Sequence, residues 1–391
     1  MQTKLKNIDF WILVPFILLS ALGIVMVYSA SSNAAQLQGL NSSIYLKRQA
    51  LFVAVGFLLC AFFYFLKIDV LKRSLFTKWF LLIVLALLIV LLIRKHFNPQ
   101  ASINGASAWI PIGPFHIQPL ELAKLALILY LAKVYSSRVL NISQQSLKQI
   151  FSQLWPPVLV GLLITGLTMF QPDLGGAAII AAIVFLMSFA SGLDIKYVVI
   201  TVIFLIILFV CGYFYFAEHS MHMDHSSYRV RRLMSFYHPF KLEKSGGSQL
   251  VNSYYAINNG GLWGRGLGNS IQKLGYLPEP YTDFILAIIA EELGLVGVSL
   301  VIGLLAVLIF RIVYLGFSAS QIYLSLLCYG IAGFLFIQSA FNIGGVVGLL
   351  PITGVTLPFI SYGGSSTLVL SICMGIVLNI SVNLRQNNSL N

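Results

Sequence analysis

Charge is what this sequence has little of: 9% of its 391 residues are Asp, Glu, Lys or Arg, and 12 of those are acidic. No separate soluble domain is visible. With 58% apolar residues, a mean hydropathy of +0.89 and recurrent uncharged stretches of about 20 residues, the composition marks many membrane-spanning helices. Cysteine is scarce too. Cys60, Cys211, Cys328 and Cys373 all lie inside apolar runs, so they read as packing residues, and a disulfide framework is not indicated. The net charge of +12 gives no reason to infer nucleic acid binding, because most of it is explained by membrane topology.

The expected fold class is an all-α polytopic membrane protein. Ten spans are predicted, at 10–29, 48–66, 77–93, 119–136, 155–170, 174–192, 195–215, 283–310, 321–345 and 359–383. The first follows a short basic start, Lys4 and Lys6, and is longer than a cleavable signal core, so it reads as a retained helix. An even number of spans puts both termini on one side. With that side cytoplasmic, Lys67, Lys72, Arg73, Lys78, Lys133, Arg138, Lys148, Lys196, Arg311 and Arg385 join Lys4 and Lys6 at cytoplasmic ends. Only Lys47, Arg48, Arg94 and Lys95 then fall in short outer segments, as the positive-inside rule requires. The chain thus reads as one membrane domain over 1–391, with residues 217–283 as a large external loop. A water-facing segment tethered to the membrane at both ends is where chemistry on a lipid-borne substrate is expected.

Ionisable groups near the spans are few enough to weigh singly. Glu121 and Lys124 are three apart at the start of span four, on one helix face and within pairing distance. A neutralising structural pair and a pair lining a substrate cavity are both open, and the two are compatible. Asp173 stands where span five turns into span six, and its favoured role is to cap the next helix rather than catalysis. Glu291 and Glu292 follow Asp283 by eight and nine residues. Helical phase puts Glu291 nearer the Asp283 face and makes it the candidate for a polar cavity, leaving Glu292 a packing or bonded role.

The external loop offers patterns of unequal value. His219, His222 and His225 with Asp224 lack a second ligand cluster, so a solvated loop is favoured over a metal site. The glycine-rich run Gly260 to Gly268 resembles a phosphate cradle, but no strand precedes it. A mobile backbone near a pyrophosphate, with Arg265 as counter-charge, is what it leaves open. Arg229, Arg231 and Arg232 form a basic cluster, read equally as attraction to anionic headgroups or as a grip on a lipid pyrophosphate.

Five motifs together resemble a known family. They are Gln118-Pro-Leu-Glu-Leu-Ala-Lys124, Gln171-Pro-Asp-Leu-Gly175, Leu277-Pro-Glu-Pro-Tyr-Thr-Asp-Phe284, Glu291-Glu-Leu-Gly294, and Leu350-Pro-Ile-Thr-Gly354 continuing to Leu357-Pro-Phe-Ile-Ser-Tyr-Gly-Gly-Ser-Ser366. In this order they are similar to the SEDS family (shape, elongation, division and sporulation). The resemblance implies a ten-helix peptidoglycan glycosyltransferase that polymerises lipid II, an undecaprenyl-linked precursor, at the outer face of a bacterial plasma membrane. It also implies a class B penicillin-binding protein as transpeptidase partner. It carries the family's essential loop aspartate onto Asp283, its intramembrane pair onto Glu121 and Lys124, and its motif tryptophan onto Trp109. Two positions depart from the common pattern: Ala108 stands where many members have Arg, and Leu120 where Ser is usual, so no role of that arginine carries over. Gly354-Val-Thr-Leu-Pro358 and Lys273 to Glu279 look more like the division branch than the elongation branch.

The residues fit this chemistry on their own terms. A sugar hydroxyl attacking an anomeric carbon needs a carboxylate to take its proton, and Asp283, at the water–lipid boundary, is placed to do so. Departure of a lipid pyrophosphate needs positive charge, from Lys124 and the loop arginines or from a divalent cation such as Mg or Mn. Ser361, Gly363, Gly364, Ser365 and Ser366 read first as packing residues that let helices approach. For any one of Gly294, Gly297, Gly303, Gly330 and Gly333 internal packing is the favoured reading, and what they leave as an expectation is a partner span against the outward surface of spans eight and nine. A precursor flippase and a noncatalytic scaffold are the rival readings. Transport would want acids spread through the depth of the membrane, whereas an outer carboxylate suits polymerisation.

Overall fold

The structure, a computed structural model, describes residues 7–97, 108–112, 115–138, 147–219, 228–243 and 246–388. Each of the ten expected segments is helical: α1 (Phe10–Leu37), α2 (Ile44–Phe65), α4 (Ser74–Phe97), α5 (Pro119–Arg138), α6 (Leu147–Phe170), α7 (Leu174–Ala190), α8 (Ile195–His219), α11 (Ile285–Ser318), α12 (Ile322–Val346) and α13 (Gly364–Asn388). Among the described residues, α1, α2, α4, α8, α11, α12 and α13 are long and apolar enough to cross a membrane. The apolar parts of α6 and α7 are shorter. The chain is a multi-pass membrane protein. A short helix, α3 (Ile68–Lys72), lies between α2 and α4, and a small antiparallel hairpin, β1 (Ile110–Ile112) with β2 (Phe115–Ile117), precedes α5.

Helix ends follow local chemistry. Asp9 caps α1 by accepting from the Trp11 N–H, and α7 starts where the Asp173 carboxylate accepts from the Gly176 N–H at 2.7 Å. Asp173 is therefore a cap. Leu120, one of the two departures from the family pattern, is buried, and its methyl would sit 2.0 Å from a Cβ at Gly176, so the starts of α5 and α7 are in close contact. α12 and α13 are the most enclosed of the membrane-length helices, whereas α8 has none of its membrane-length window buried. α13 packs along α2, and α11 packs on α12 and α1.

Two boundaries differ from expectation. Span ten begins at Gly364 rather than at 359, because residues 359–363 are occupied in binding another loop. Span eight begins at Ile285, continues to Ser318 and is broken at Gly294. The segment between α8 and α11 holds helices α9 (Tyr228–Tyr237) and α10 (Ser248–Gly260), the latter packed on α11. The glycine-rich run after α10 is not a cradle with free N–H groups. It inserts into the helix break: the Arg265 and Gly266 N–H groups donate to Glu291 O and Glu292 O, both at 2.9 Å. The Leu295 and Val296 N–H groups donate to Gly261 O and Leu262 O at 3.0 and 3.2 Å. A broken helix exposes unpaired backbone groups on either side of the break, and here a loop supplies the missing partners.

Candidate active site

Asp283 lies in the turn before α11, whose cap is Phe284, and not on the helix itself. This turn is held by its backbone. Three successive carbonyls are bound: the loop between α12 and α13 takes two, the Tyr362 N–H donating to Tyr281 O (2.9 Å) and Ser361 Oγ to Thr282 O (2.6 Å), and Asn342 Nδ2 of α12 donates to Asp283 O (2.8 Å). Asp283 itself is half-buried and lines a small recess with Asn342, Thr353 and Val355. Glu279 opens the turn in a left-handed conformation at φ 54°, unusual for a residue with a side chain, and accepts from Thr282 Oγ1 at 2.9 Å. Three tyrosines, Tyr45, Tyr281 and Tyr362, gather beside it with ring centroids 4.7 to 5.9 Å apart. Burial, then the hydrogen bond with Tyr45, pushes the Tyr281 phenol well above its ordinary range, so it stays protonated and able to donate.

The second polar centre is the Glu121–Lys124 pair on α5. Lys124 Nζ lies 2.6 Å from Glu121 Oε1 and 3.1 Å from Gln338 Oε1, with the Phe334 ring centroid at 5.0 Å. Both charges are buried, and Glu121 Oε2 has no hydrogen-bond partner among the described residues. Gln338 passes the connection on, its Nε2 donating to Thr356 O at 3.0 Å and to Ser366 Oγ at 3.2 Å. Glu121 and Lys124 thus meet directly, while Asp283 and Lys124 are joined through α12.

The remaining candidates divide. Glu291 does not face a cavity: it is fully buried and accepts from Asn259 Nδ2, Ser270 Oγ and the N–H groups of Ile271 and Gln272. The break at Gly294 folds the external loop over this helix face, so the carboxylate is spent on loop backbone. Glu292 has a bonded role, paired with Lys273 Nζ at 2.6 Å and accepting from Ser29 Oγ of α1 at 2.7 Å. Arg265 is exposed; its N–H donates into the helix break and its carbonyl accepts from Asn269 Nδ2 at 3.1 Å. Arg229, Arg231 and Arg232 lie on α9, but their side chains fall outside the described residues, as do His222, Asp224 and His225. Trp109 is half-buried just before β1, its carbonyl 3.5 Å from Arg94 Nη1. Ser365 does more than pack: its Oγ accepts from the Gln118 N–H at 2.9 Å and ties the entry of α5 to α13. Gln338, Asn342 and Lys273 were not singled out from sequence as side chains with a role. A lone amide in an apolar run, repeated four residues later on the same face, is the signal that could have found the first two.

At the opposite end of the bundle, Asp9 is fully buried and bound by Arg311 Nε and Nη2 at 2.9 and 2.8 Å, by Ser381 Oγ at 2.9 Å and by Arg385 at 3.5 Å. The start of α1 and the ends of α11 and α13 therefore share one end.

Fold and site define a class: a helical membrane bundle whose buried ionic groups collect at its two ends, with a loop-borne carboxylate fixed by backbone ties at one of them. The sequence profile for FtsW, RodA and SpoVE, described as "Cell cycle protein", matches residues 10–386, and the chain belongs to that family. It is 41% identical over 388 residues to the probable peptidoglycan glycosyltransferase FtsW of Bacillus subtilis (strain 168), covering 98% of this chain and 92% of that one. It is 36% identical to stage V sporulation protein E of the same organism, covering 97% and 99%. Among solved structures it is similar to a chain described under structural coordination of polymerization and crosslinking by a peptidoglycan synthase complex, with a TM-score of 0.74, 28% identity and coverage of 97% and 99%. The rod shape determining protein RodA of Thermus thermophilus matches with a TM-score of 0.66, 28% identity and 96% coverage of both chains.

Proposed function

We propose that this chain is a peptidoglycan glycosyltransferase of the FtsW type, polymerising lipid II at the outer face of the bacterial plasma membrane. Both termini are cytoplasmic in this reading, and residues 217–283 form the external loop. The observation that carries it is the Asp283 turn: three consecutive carbonyls tied down by the α12–α13 segment hold a half-buried carboxylate in one place. A general base must stand within hydrogen-bond reach of the proton it removes, and a fixed backbone supplies that. Asp283 takes the proton from the attacking sugar hydroxyl as the glycosidic bond forms, while the lipid pyrophosphate leaves toward positive charge, for which Lys124 is the buried candidate. The distribution of acids favours polymerisation over transport: α11 has no ionisable residue between Glu292 and Arg311, so this helix offers no stepwise path through the membrane.

A divalent cation, Mg or Mn, fits the site in a limited way. Hard cations take oxygen ligands, and Mg usually binds through one or two carboxylates plus substrate phosphates. Asp283, half-buried and lining the recess, would hold one arriving with the pyrophosphate. Bound there, it would neutralise charge on the leaving oxygens.

A class B penicillin-binding protein is the proposed partner, crosslinking the glycan as it emerges. The test is purified lipid II added to the purified protein with and without that transpeptidase, followed by glycan length. Asp283→Asn keeps size but removes the proton acceptor, and polymerisation should fall by about 10²–10⁴-fold with insertion and thermal stability retained. Parental rates in the variant would remove Asp283 from the mechanism.

A further inference from the structure

Gln338 and Asn342 are four residues apart on α12 and so share one face of it. Both are buried, where an amide is costly unless it is bonded. The bonds they make go to the proposed reaction centre. Gln338 Oε1 accepts from Lys124 Nζ at 3.1 Å, and its Nε2 donates to Thr356 O at 3.0 Å. Asn342 Nδ2 donates to Asp283 O at 2.8 Å and to Val355 O at 2.7 Å. Two adjacent loop residues, Val355 and Thr356, are therefore clamped by the same helix face that reaches Lys124 on one side and the Asp283 peptide on the other.

Resting on the assignment of Asp283 as base, we infer that Gln338 and Asn342 are positioning residues, and that one turn of α12 sets where Asp283 stands relative to Lys124. Only primary amides fit both places. Gln338 must accept from an ammonium and donate to a carbonyl at once. Asn342 spends both N–H bonds on carbonyls, so a carboxylate at either position would meet oxygen where a donor is needed. The coupling is rigid because its parts are one helix turn and direct hydrogen bonds. Neither amide touches the reacting atoms. What they set is geometry, and misplacement of a reacting group by about 1 Å can cost about 10²-fold in rate.

The experiment compares Asn342→Leu and Gln338→Met, near in size and free of unsatisfied donors, in the parental and Asp283→Asn proteins in complex with the transpeptidase. In the parental protein kcat for lipid II polymerisation should fall by about 10²-fold with KM little changed, since ground-state binding is untouched. Hydrogen exchange should rise across residues 279–284 and 355–362 and stay constant around Asp9. In the Asp283→Asn background the same substitutions should cost nothing further, because residues acting through one group are not additive. Undiminished kcat in a folded variant, equal losses in both backgrounds, or unchanged exchange at 279–284 would each overturn the inference. Should Asn342→Leu not fold, Asn342→Ser keeps one donor and must show a smaller loss in the same direction. If Asp283→Asn alone polymerises normally, the catalytic assignment fails by itself. The exchange measurement then still decides whether Asn342 holds the Asp283 peptide.

Discussion

A lysine enclosed among helices is costly unless its N–H groups meet acceptors, and those of Lys124 meet Glu121 and Gln338. Its stability is therefore conditional on both. Glu121→Gln removes the counter-charge from a buried cation, and Lys124→Met leaves a buried carboxylate that already has one unpartnered oxygen. Each single change should destabilise the protein by about 3–5 kcal/mol, while the double change should recover much of that loss because no charge is left stranded. Thermal denaturation of the three variants in detergent checks this; losses that simply add would argue against a coupled pair. A double variant that is stable but inactive would give Lys124 a role in the reaction as well as in the fold.

At the scale of the element, the break in α11 controls how the external loop is seated. Gly294 has φ 67° and ψ −168°, a region that is essentially glycine's alone, and a Cβ there would lie 2.4 Å from Gly264 N and Leu262 O. Gly264 is as confined, with φ 78° and an added Cβ 2.2 Å from Glu292 O. Gly294→Ala should cost at least about 1–3 kcal/mol and release the loop that binds Glu291 and Glu292. Gly303→Ala on the same helix has open space around it and should be neutral, or stabilising by up to about 1 kcal/mol. Denaturation midpoints and proteolysis within 261–274 separate the two outcomes. This break was not legible in the sequence. The apolar run on both sides of Gly294 reads as one helix, and what opens it is backbone from about thirty residues earlier, which leaves no periodic mark. The helices themselves were legible, since a lipid environment forces every span to satisfy its own backbone. So was the capping by Asp173, a local rule. The uncharged amides Gln338 and Asn342 were missed because their four-residue spacing marks a shared face but not the partners that give it a role. Glu291 was misplaced because helical phase cannot foresee a loop folding over that face.

At the scale of the whole molecule, exposure decides where a partner helix fits. Gly330 and Gly333 on α12 face Ile128, Met187 and Leu186, so they serve internal packing and leave no room for a foreign span. Gly294 is occupied by the external loop. α11 presents an outward apolar surface through Leu300, Val307 and Phe310, with Gly303 open beside them. Single cysteines at those three positions should crosslink to the transpeptidase span, while crosslinks confined to α1, α2 and α4 would refute this placement and leave the enzymatic reading intact.

The α1–α11 pair carries a further consequence. It is pinned by Asp9 with Arg311 at one end and by Ser29 with Glu292 and Lys273 at the other. α11 joins the two pins through its break at Gly294, whereas on α1 they are twenty positions apart, about 30 Å at helical rise. That is close to the hydrocarbon thickness of a typical bilayer, about 30 Å. α1 cannot lengthen or shorten between its pins, so hydrophobic mismatch must be met by tilt or by deforming the lipid. The outer pin also seats the loop leading to Asp283, so tilt would be transmitted to the reaction centre. Polymerisation in vesicles of graded acyl-chain length should therefore peak near a hydrocarbon core of about 30 Å and decline on both sides. A flat response would mean that the pair yields without disturbing Asp283. The peak would make membrane thickness itself a determinant of how fast this enzyme builds glycan.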